Sequence, residues 1–373
     1  MGKLPYYLFM RIIISGGGTG GHIYPAIAIA NELKILDSSI EILFVGAKGK
    51  MEMEKVPKAG YAIEGLWISG LQRRFTLSNL LFPIKLAVSS WQARRILQRF
   101  KPDAVVGVGG YASGPLLYWA TKRKIPALIQ EQNSFAGLTN RNLGKNVQRI
   151  CVSYEGMENF FPAEKILLTG NPVRQDMNEI LLKKERALQH FGLQASKKTL
   201  LIVGGSQGSR TINESIAKNL DKLLESGLQI LWQTGKNSFE HPESTKYCLQ
   251  NPALKQLEFI YEMDLGYAVA DLVVSRAGAL AVSELCLVQK PCILVPLPTA
   301  AEDHQTKNAL ALVGKQAGIL VKDKEASQTL LPTILHLASD EKLQTTLSEN
   351  MKAFAKPHAT RQIAEAVLAL VKR

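Results

Sequence analysis

The chain of 373 residues exceeds the length at which a single hydrophobic core keeps growing, so two domains of ordinary size are expected. Its four cysteines, Cys151, Cys248, Cys286 and Cys292, form no CxxC motif and no zinc spacing, which excludes a disulfide framework and favours free thiols in a reducing compartment. No run of about 18 apolar residues occurs, so no membrane-spanning helix is predicted. The first ten residues lack the long apolar region of a signal peptide and are interpreted as a tail.

The formal net charge of +13 is concentrated in the first half of the chain. Residues 1–170 contain 21 Lys and Arg against 11 Asp and Glu, whereas the remaining 203 residues contain 24 against 21. This asymmetry indicates an anionic partner for the first half, either nucleic acid or a membrane surface. A basic soluble protein without such a partner remains an alternative from charge alone.

Short apolar segments alternate with helix-like segments, as in βα units. The strand-like segments up to residue 169 are RIIIS, EILFV, DAVVG, ALIQ, RICVS and KILLT, and after residue 173 they are TLLIV, QILWQ, LEFI, LVVS and CILVP. In the second half, apolar residues from Ile212 to Leu224 predict one amphipathic helix that ends before Gly227. We predict an α/β fold with two Rossmann-like, doubly wound parallel-sheet domains facing a cleft. The first would comprise 1–173, with a C-terminal helix at about 358–373 returning to it, and the second 174–357.

A glycine-rich turn, Gly16–His22, follows the first predicted strand and opens a helix. Glycines allow a ligand to approach the backbone closely, and the helix N-terminus offers N–H groups to an anion or a sugar. Alone, the motif is also compatible with a plain strand-to-helix turn. NAD binding is not favoured, because Glu41 lies before the second strand rather than at its end.

The second half opens with a similar turn, Gly204–Ser209, after its first strand. These residues also match the G-x-S-x-G nucleophile elbow of hydrolases, with Asp271 or Glu284 and then His304 in the right order. A hydrolase would leave the first glycine-rich turn and its whole domain unexplained.

Four further polar segments follow predicted strands: Gly109–Gly114, Gln130–Asn133, Ser275–Glu284 and Pro296–Asn308. They therefore belong to the ligand-binding edges of the sheets. The chain has no Asp-x-Asp and no HxxxH pair, so no metal site and no obligate cofactor are predicted. Helix N-termini would instead stabilise a diphosphate.

The ordered set GGGTGGH, GGYASGP, QEQNSFAGLTN, GNPVR, GGSQGS, EFI, SRAGALAVSE and AEDHQTKNA closely resembles the MurG family from about Arg11 to Asn308. The resemblance implies a GT-B fold and an inverting hexosyltransferase. It implies transfer of GlcNAc from UDP-GlcNAc to the MurNAc 4-hydroxyl of undecaprenyl-diphosphate-MurNAc-pentapeptide (lipid I), giving lipid II for peptidoglycan. It also implies a peripheral position on the cytoplasmic face of the bacterial plasma membrane, with cell-wall synthesis and division proteins as candidate partners and no nucleic acid.

Carried over by position, the resemblance assigns donor contacts in both domains. These residues are Thr19, Gly20, Gly21, Asn133, Arg174, Ser206, Ile260, Ala279, Leu280, Ala281, Val282, Ser283, Glu284 and Gln305. Ile260 would contact uracil through its backbone, Glu284 the ribose, and Gln305 the sugar hydroxyls. Some family members carry Gln at the position of His304, whose role stays open.

The transfer needs a base for the acceptor hydroxyl. His22 is the first candidate, because an imidazole titrates near neutral pH and this one lies in the glycine-rich turn. Glu131 is the second candidate, and Tyr111 is expected to orient the acceptor. Arg174 and the helix that begins near Ala279 would stabilise the departing UDP.

A basic, apolar segment without acidic residues extends from Gly65 to Pro102 and predicts binding to an anionic membrane surface. The residues expected to make this contact are Phe75, Leu81, Phe82, Trp91, Arg94 and Arg95. Core packing of the same residues is the alternative. A diacylglycerol glycolipid synthase, a UDP-sugar 2-epimerase of GT-B fold and a non-catalytic lipid-binding or nucleic-acid-binding protein are the competing functions.

Overall fold

The computed structural model describes residues 10–70, 81–173, 180, 182–236 and 251–371. It divides into two compact units, one formed by residues 1–173 with 358–373 and the other by residues 174–357. Within the described residues, each unit contains one parallel sheet, of seven strands in the first and six in the second. The predicted class, two parallel-sheet α/β domains, is confirmed.

The first sheet has the strand order β3-β2-β1-β4-β5-β6-β7. Its strands are β1 (Arg11–Ser15), β2 (Glu41–Ala47), β3 (Ala62–Leu66), β4 (Ala104–Gly107), β5 (Ala127–Glu131), β6 (Arg149–Val152) and β7 (Ile166–Leu168). The helices between them are α1 (Gly20–Leu36), α2 (Glu52–Lys58), α3 (Phe82–Phe100), α4 (Ser113–Lys122) and α5 (Leu138–Gly144).

The centre of this sheet is the point where the strand order reverses. Ile13 of β1 pairs with Leu43 of β2 on one side and with Val105 of β4 on the other. Ile12, Ile13 and Ile14 are fully buried, because helices cover both faces of a central parallel strand. The loops after β1 and β4 therefore meet at the switch point where doubly wound sheets bind ligands.

The second sheet has the order β10-β9-β8-β11-β12-β13 and its own switch point between β8 and β11. Its strands are β8 (Thr199–Val203), β9 (Gln229–Gln233), β10 (Leu254–Leu257), β11 (Leu272–Ser275), β12 (Cys292–Leu294) and β13 (Ile319–Leu320). Its helices are α6 (Lys184–Phe191), α7 (Arg210–Lys218), α8 (Leu220–Glu225), α9 (Met263–Val269), α10 (Ala279–Val288), α11 (His304–Val313), α12 (Ala326–Ser339) and α13 (Glu341–Met351).

A final helix, α14 (Ala359–Val371), belongs to the first unit. It buries Ile363, Ala364 and Val367 in the same apolar cluster as the central strand β1. Thr360 Oγ1 donates to the Val173 carbonyl at 3.2 Å. The C-terminal helix thereby completes the core of the first unit.

The structure differs from the sequence prediction in three local features. The single helix predicted from Ile212 to Leu224 is two helices, because the backbone leaves helical geometry at Asn219, whose side chain donates to the Ser215 carbonyl. The strand predicted as LEFI begins three residues earlier, so Ile260 lies beyond its end. Strands β3 and β13 were not predicted, and both lie at sheet edges.

Candidate active site

The first glycine-rich loop, Gly16–His22, is anchored by a hydrogen bond to the buried carboxylate of Glu52. This side chain is 1% exposed, and its two oxygens accept the N–H groups of Gly18 and Ala47, each at 2.9 Å. A Cβ on Gly17 would stand 2.1 Å from Glu52 Oε1, so this glycine is required for the contact. Sequence reasoning missed Glu52. The only indication was an acidic residue in the first turn of the helix that follows β2.

His22 lies in the first turn of α1 with its ring directed back at the loop. Its Nδ1 is 3.0 Å from the Gly17 carbonyl oxygen, and a carbonyl only accepts, so this contact places the ring proton on Nδ1. Nε2 then carries the lone pair. The edge of the ring packs on Gly109, where an added Cβ would be 2.9 Å from Nε2. Thr19 and Gly21 are exposed beside it.

The loop after β4 packs backbone to backbone against the glycine-rich loop. Gly110 has a φ of +87°, and a Cβ there would stand 2.4 Å from the Gly17 carbonyl oxygen. Ser113 Oγ contacts the Ser15 carbonyl at 2.8 Å and so ties the two strand ends together. Tyr111 follows Gly110 with its side chain 50% exposed. The structure thus brings together the loops that carry His22 and Tyr111.

Glu131, the last residue of β5, is buried and fully hydrogen-bonded. One oxygen accepts the backbone and side-chain N–H groups of Asn133 at 3.1 and 3.3 Å, and the other accepts Gly137 N and Asn140 Nδ2 at 3.1 and 2.8 Å. Burial raises the pKa of the Glu131 carboxyl, and these hydrogen bonds oppose that increase. This placement favours a role in shaping the loop that carries Asn133.

Buried amide side chains support the same loop from the neighbouring strand ends. Gln130 Nε2 donates to Asn171 Oδ1 at 3.0 Å, and Asn171 Nδ2 donates to the Gln132 carbonyl at 3.0 Å. Ser153 Oγ donates to the same Asn171 oxygen at 2.6 Å. Because buried polar groups are costly unless paired, this network fixes one arrangement of the loop.

In the second unit, the loop after β8 is held close to the end of β9. Gly208 has a φ of +84°, and a Cβ there would be 2.2 Å from the Thr234 carbonyl oxygen. Ser209 Oγ accepts the Ile212 N–H at 3.3 Å and so caps α7. Ser206, at the exposed tip of the loop, is open to solvent.

Gln233 connects this loop to the segment that contains Ile260. Its Nε2 donates to the Gly205 carbonyl at 3.2 Å, and its Oε1 accepts the Ile260 N–H at 2.9 Å. Sequence reasoning missed Gln233. The available indication was a polar residue at the carboxyl end of an apolar strand.

The helix α10 begins directly after the loop that follows β11, with Gly278 extended at its N-cap. The N–H groups of Ala279, Leu280 and Ala281 therefore lie at a helix N-terminus, where anions bind. Glu284, one turn further along, accepts a hydrogen bond from Tyr267 OH at 3.2 Å. Val282 is buried, and Ser283 is half-buried.

Two features shape the neighbouring loops of the second unit. Arg276 donates to the carbonyls of Val295 and Pro296 at 3.0 and 3.1 Å and forms an ion pair with Asp323. Its guanidinium therefore has a structural role in connecting these loops. Glu302 and Asp303 have φ values of +53° and +54°, so the backbone is strained at both residues. Strain of this kind is concentrated at functional sites in proteins.

Gln305 lies just after that strained turn, in the first turn of α11. Its Oε1 accepts the Leu297 N–H at 3.0 Å, which fixes the side chain beside the loop after β12. Arg174 lies outside the described residues. Within the described residues, no group of three or more His, Cys, Asp and Glu side chains is arranged to hold a metal ion.

A basic and aromatic surface covers α3 and α4. The core face of α3 consists of Ser89, Ala93, Ile96 and Leu97. Its other faces expose Ile84, Leu86 and Trp91, together with Arg94 and Arg95, and Leu81 is exposed at its N-cap. Phe82 is half-buried, and Phe75 lies outside the described residues.

The charges on this surface are stacked on aromatic rings. The Arg95 guanidinium lies 4.8 Å from the Trp91 ring centroid, and the Arg94 guanidinium lies 5.3 Å from that of Trp119. In the described part of the chain, no helix has both the length and the apolar character needed to cross a bilayer.

Comparison with known proteins identifies relatives over nearly the whole chain. A family model for the Glycosyltransferase family 28 N-terminal domain matches residues 12–152, and one for the Glycosyltransferase family 28 C-terminal domain matches residues 199–365. A Parabacteroides distasonis protein, named UDP-N-acetylglucosamine–N-acetylmuramyl-(pentapeptide) pyrophosphoryl-undecaprenol N-acetylglucosamine transferase, is 52% identical over 363 residues, covering 97% of this chain and 99% of the relative. A Cytophaga hutchinsonii protein of the same name is 54% identical over 361 residues, 97% of each chain.

Among solved structures, Acinetobacter baumannii MurG is similar with a TM-score of 0.77 and 28% identity, covering 96% of this chain and 99% of that one. The predicted GT-B fold is thereby confirmed, and so is the interpretation as a glycosyltransferase rather than a hydrolase. The chain belongs to the MurG family of glycosyltransferases.

Proposed function

We propose that the protein transfers GlcNAc from UDP-GlcNAc to the MurNAc 4-hydroxyl of lipid I, giving lipid II for peptidoglycan synthesis. The observation that carries the proposal is the identity above 50%, over nearly the full length, to relatives named for this transfer. Through peptidoglycan, the activity would affect cell shape and division, and other cell-wall synthesis and division proteins are the expected partners.

In the second unit, we assign the nucleotide to the loops around β8 and β11. The N-terminus of α10, with Ala279, Leu280 and Ala281, would stabilise the diphosphate without an obligate metal. Glu284, already oriented by Tyr267, would accept hydrogen bonds from the ribose hydroxyls. Because the Ile260 N–H is bound to Gln233, a backbone contact to uracil would use the Ile260 carbonyl.

Three other assignments concern the transferred sugar and the phosphates. Gln305 would contact sugar hydroxyls through its amide nitrogen, since its oxygen accepts the Leu297 N–H. Ser206, at an exposed loop tip, would contact the diphosphate. In the first unit, Thr19, Gly20, Gly21 and Asn133 would contact the donor from loops whose shapes are fixed by buried side chains.

We propose His22 as the base. With the proton on Nδ1, Nε2 accepts the proton of the acceptor hydroxyl while that oxygen attacks the anomeric carbon. The bond between that carbon and the diphosphate oxygen breaks, and its electron pair leaves with UDP. Tyr111, exposed on the adjacent loop, would orient the acceptor sugar. Glu131 would position Asn133 rather than take a proton, because both its oxygens are already hydrogen-bonded.

Incubation of a short-chain lipid I analogue with labelled UDP-GlcNAc, followed by thin-layer chromatography, tests the function. We expect a labelled lipid II analogue, a strong preference over UDP-glucose, and activity that persists in EDTA. Absence of the product from a folded preparation would overturn the function. Complete loss in EDTA that Mg²⁺ restores would overturn only the proposal that no metal is required.

We further propose that the α3 and α4 surface binds the cytoplasmic face of the plasma membrane. The exposed apolar side chains would enter the headgroup region while the stacked arginines meet anionic lipid. Each basic residue near an anionic surface contributes about 1 kcal/mol, so reversing Arg94 and Arg95 to Glu should cost about 2 kcal/mol or more.

Vesicle co-sedimentation tests this surface. We expect strong binding to phosphatidylglycerol vesicles, weak binding to neutral ones, and weaker binding for Phe82→Ser and for Arg94→Glu with Arg95→Glu. Lys218→Glu with Lys222→Glu, two exposed positions in the second unit, is the matched charge control. Equal binding of wild type to neutral and anionic vesicles would contradict the proposal.

A further inference from the structure

We propose that Glu52 is a positioning residue that acts on His22 through the peptide group between Gly17 and Gly18. The N–H of this peptide group donates to Glu52 Oε2 at 2.9 Å. Its C=O accepts from His22 Nδ1 at 3.0 Å. A single peptide plane therefore connects a buried carboxylate to the imidazole. The inference rests on the proposed role of His22 as the base.

The carboxylate strengthens the contact to the imidazole by polarising the peptide group. A negative acceptor at the N–H end increases the negative partial charge on the carbonyl oxygen, and hydrogen bonds in such chains strengthen one another by about 10–30%. The carbonyl then holds the ring proton on Nδ1, so the basic lone pair of the neutral ring is on Nε2, the atom proposed to take the proton of the acceptor hydroxyl. When Nε2 takes that proton, the same carbonyl stabilises the imidazolium.

Three glycines provide the space for this arrangement. Added Cβ atoms would stand 2.1 Å from Glu52 Oε1 at Gly17, 2.5 Å from Glu52 Cγ at Gly46, and 2.4 Å from the Gly17 carbonyl oxygen at Gly110. The second carboxylate oxygen is anchored by the Ala47 N–H at 2.9 Å. The side chain is 1% exposed, so water does not screen its effect on the peptide group.

The test compares Glu52→Gln with Glu54→Gln, a control two residues along the same helix. Glu54 is exposed and pairs with Lys58 on the surface. In Glu52→Gln, an NH₂ group replaces one oxygen and faces a backbone N–H, so one of the two hydrogen bonds is lost. We expect kcat to fall about 10- to 100-fold, less than complete removal of a base can cost, with both KM values changed less than about 3-fold. The control should retain wild-type kcat.

A double-mutant cycle separates action through His22 from general support of the loop. If Glu52 acts through His22, Glu52→Gln should reduce kcat by less than about 3-fold in a His22→Ala background. If Glu52→Gln instead lowers kcat by the same factor in the His22→Ala background as in wild type, Glu52 does not act through His22, and His22 is still the base. If His22→Ala alone retains wild-type kcat, His22 is not the base, and the proposed action of Glu52 through it is overturned as well.

A measurement on the unmodified protein covers the case in which Glu52→Gln does not fold. The ¹⁵N NMR signals of the neutral His22 ring should show the proton on Nδ1. A ring with its proton on Nε2 would overturn the proposed action of Glu52 through His22, because Nδ1 would then have no proton to donate to the Gly17 carbonyl.

Discussion

Substitution of Gly110 by alanine should separate the two loops that carry His22 and Tyr111. Gly110 has a φ of +87°, a region that costs an L-residue about 1–2 kcal/mol. The new Cβ would also stand 2.4 Å from the Gly17 carbonyl oxygen, whereas ordinary contacts begin at 3.4 Å, so one loop must move by about 1 Å. A displacement of that size at a reacting group costs about 100-fold in rate. We therefore expect a kcat about 100-fold below wild type.

The matched control is Gly60→Ala in the same unit. Gly60 has nearly the same φ, +86°, but no heavy atom lies within 4 Å of an added Cβ, so this variant has the backbone strain without the collision. Gly60→Ala should lose about 2–8 °C of thermal stability, which corresponds to about 1–2 kcal/mol of backbone strain in a domain of this size, and Gly110→Ala should lose at least as much. Transfer of labelled GlcNAc to a lipid I analogue gives kcat, and thermal unfolding gives stability. A kcat for Gly110→Ala within about 3-fold of the Gly60→Ala value would refute the reasoning.

Two further predictions concern buried or partly buried carboxylates. Glu131→Gln should destabilise the protein by about 1–3 kcal/mol, because one oxygen with its two N–H donors is replaced by an NH₂ group. Burial raises the pKa of the Glu131 carboxyl in the folded protein. The contribution of this group to the free energy of unfolding is therefore fully present below the unfolded-state pKa and is lost as pH rises through the folded-state pKa. The difference in melting temperature between wild type and Glu131→Gln should therefore be larger at pH 5 than at pH 8, and a difference that grows towards pH 8 would contradict this. Glu284→Ala should raise the KM for UDP-GlcNAc about 10- to 100-fold with the acceptor KM unchanged, whereas Tyr267→Phe, which removes only the hydroxyl that orients Glu284, should have a smaller effect.

The central strands were predictable from sequence, and the edge strands were not. RIIIS and TLLIV are continuous apolar runs because both faces of a central parallel strand are covered. The edge strand β3, AIEGL, is only partly buried and contains Glu64 and Gly65, so its composition resembles that of a loop. The edge strand β13 has two residues, too few for any periodic pattern.

The helix break at Asn219 had a local cause that the apolar periodicity does not reveal. Ile212, Ile216, Leu220 and Leu223 all face the core as predicted. The side chain of Asn219 nevertheless donates to the Ser215 carbonyl, and the backbone leaves helical geometry at that residue. An apolar pattern records which face is buried, and it is insensitive to a one-residue interruption between two helices on the same face.

The sequence located the glycine-rich and polar segments after their strands, but it did not reveal the residues that hold these segments in place. Glu52 supports a loop at Gly18, 34 positions earlier, and Gln233 links Gly205 to Ile260 across 28 and 27 positions. A parallel βα topology explains these separations, since adjacent strand ends are joined through a whole helix and lie far apart in sequence. A pattern can place a polar residue at the carboxyl edge of a sheet, but it cannot pair that residue with a particular backbone group. Supporting residues of this family should therefore be sought at the ends of the strands adjacent to each glycine-rich loop, where a buried carboxylate or amide has an exposed backbone N–H or C=O within reach.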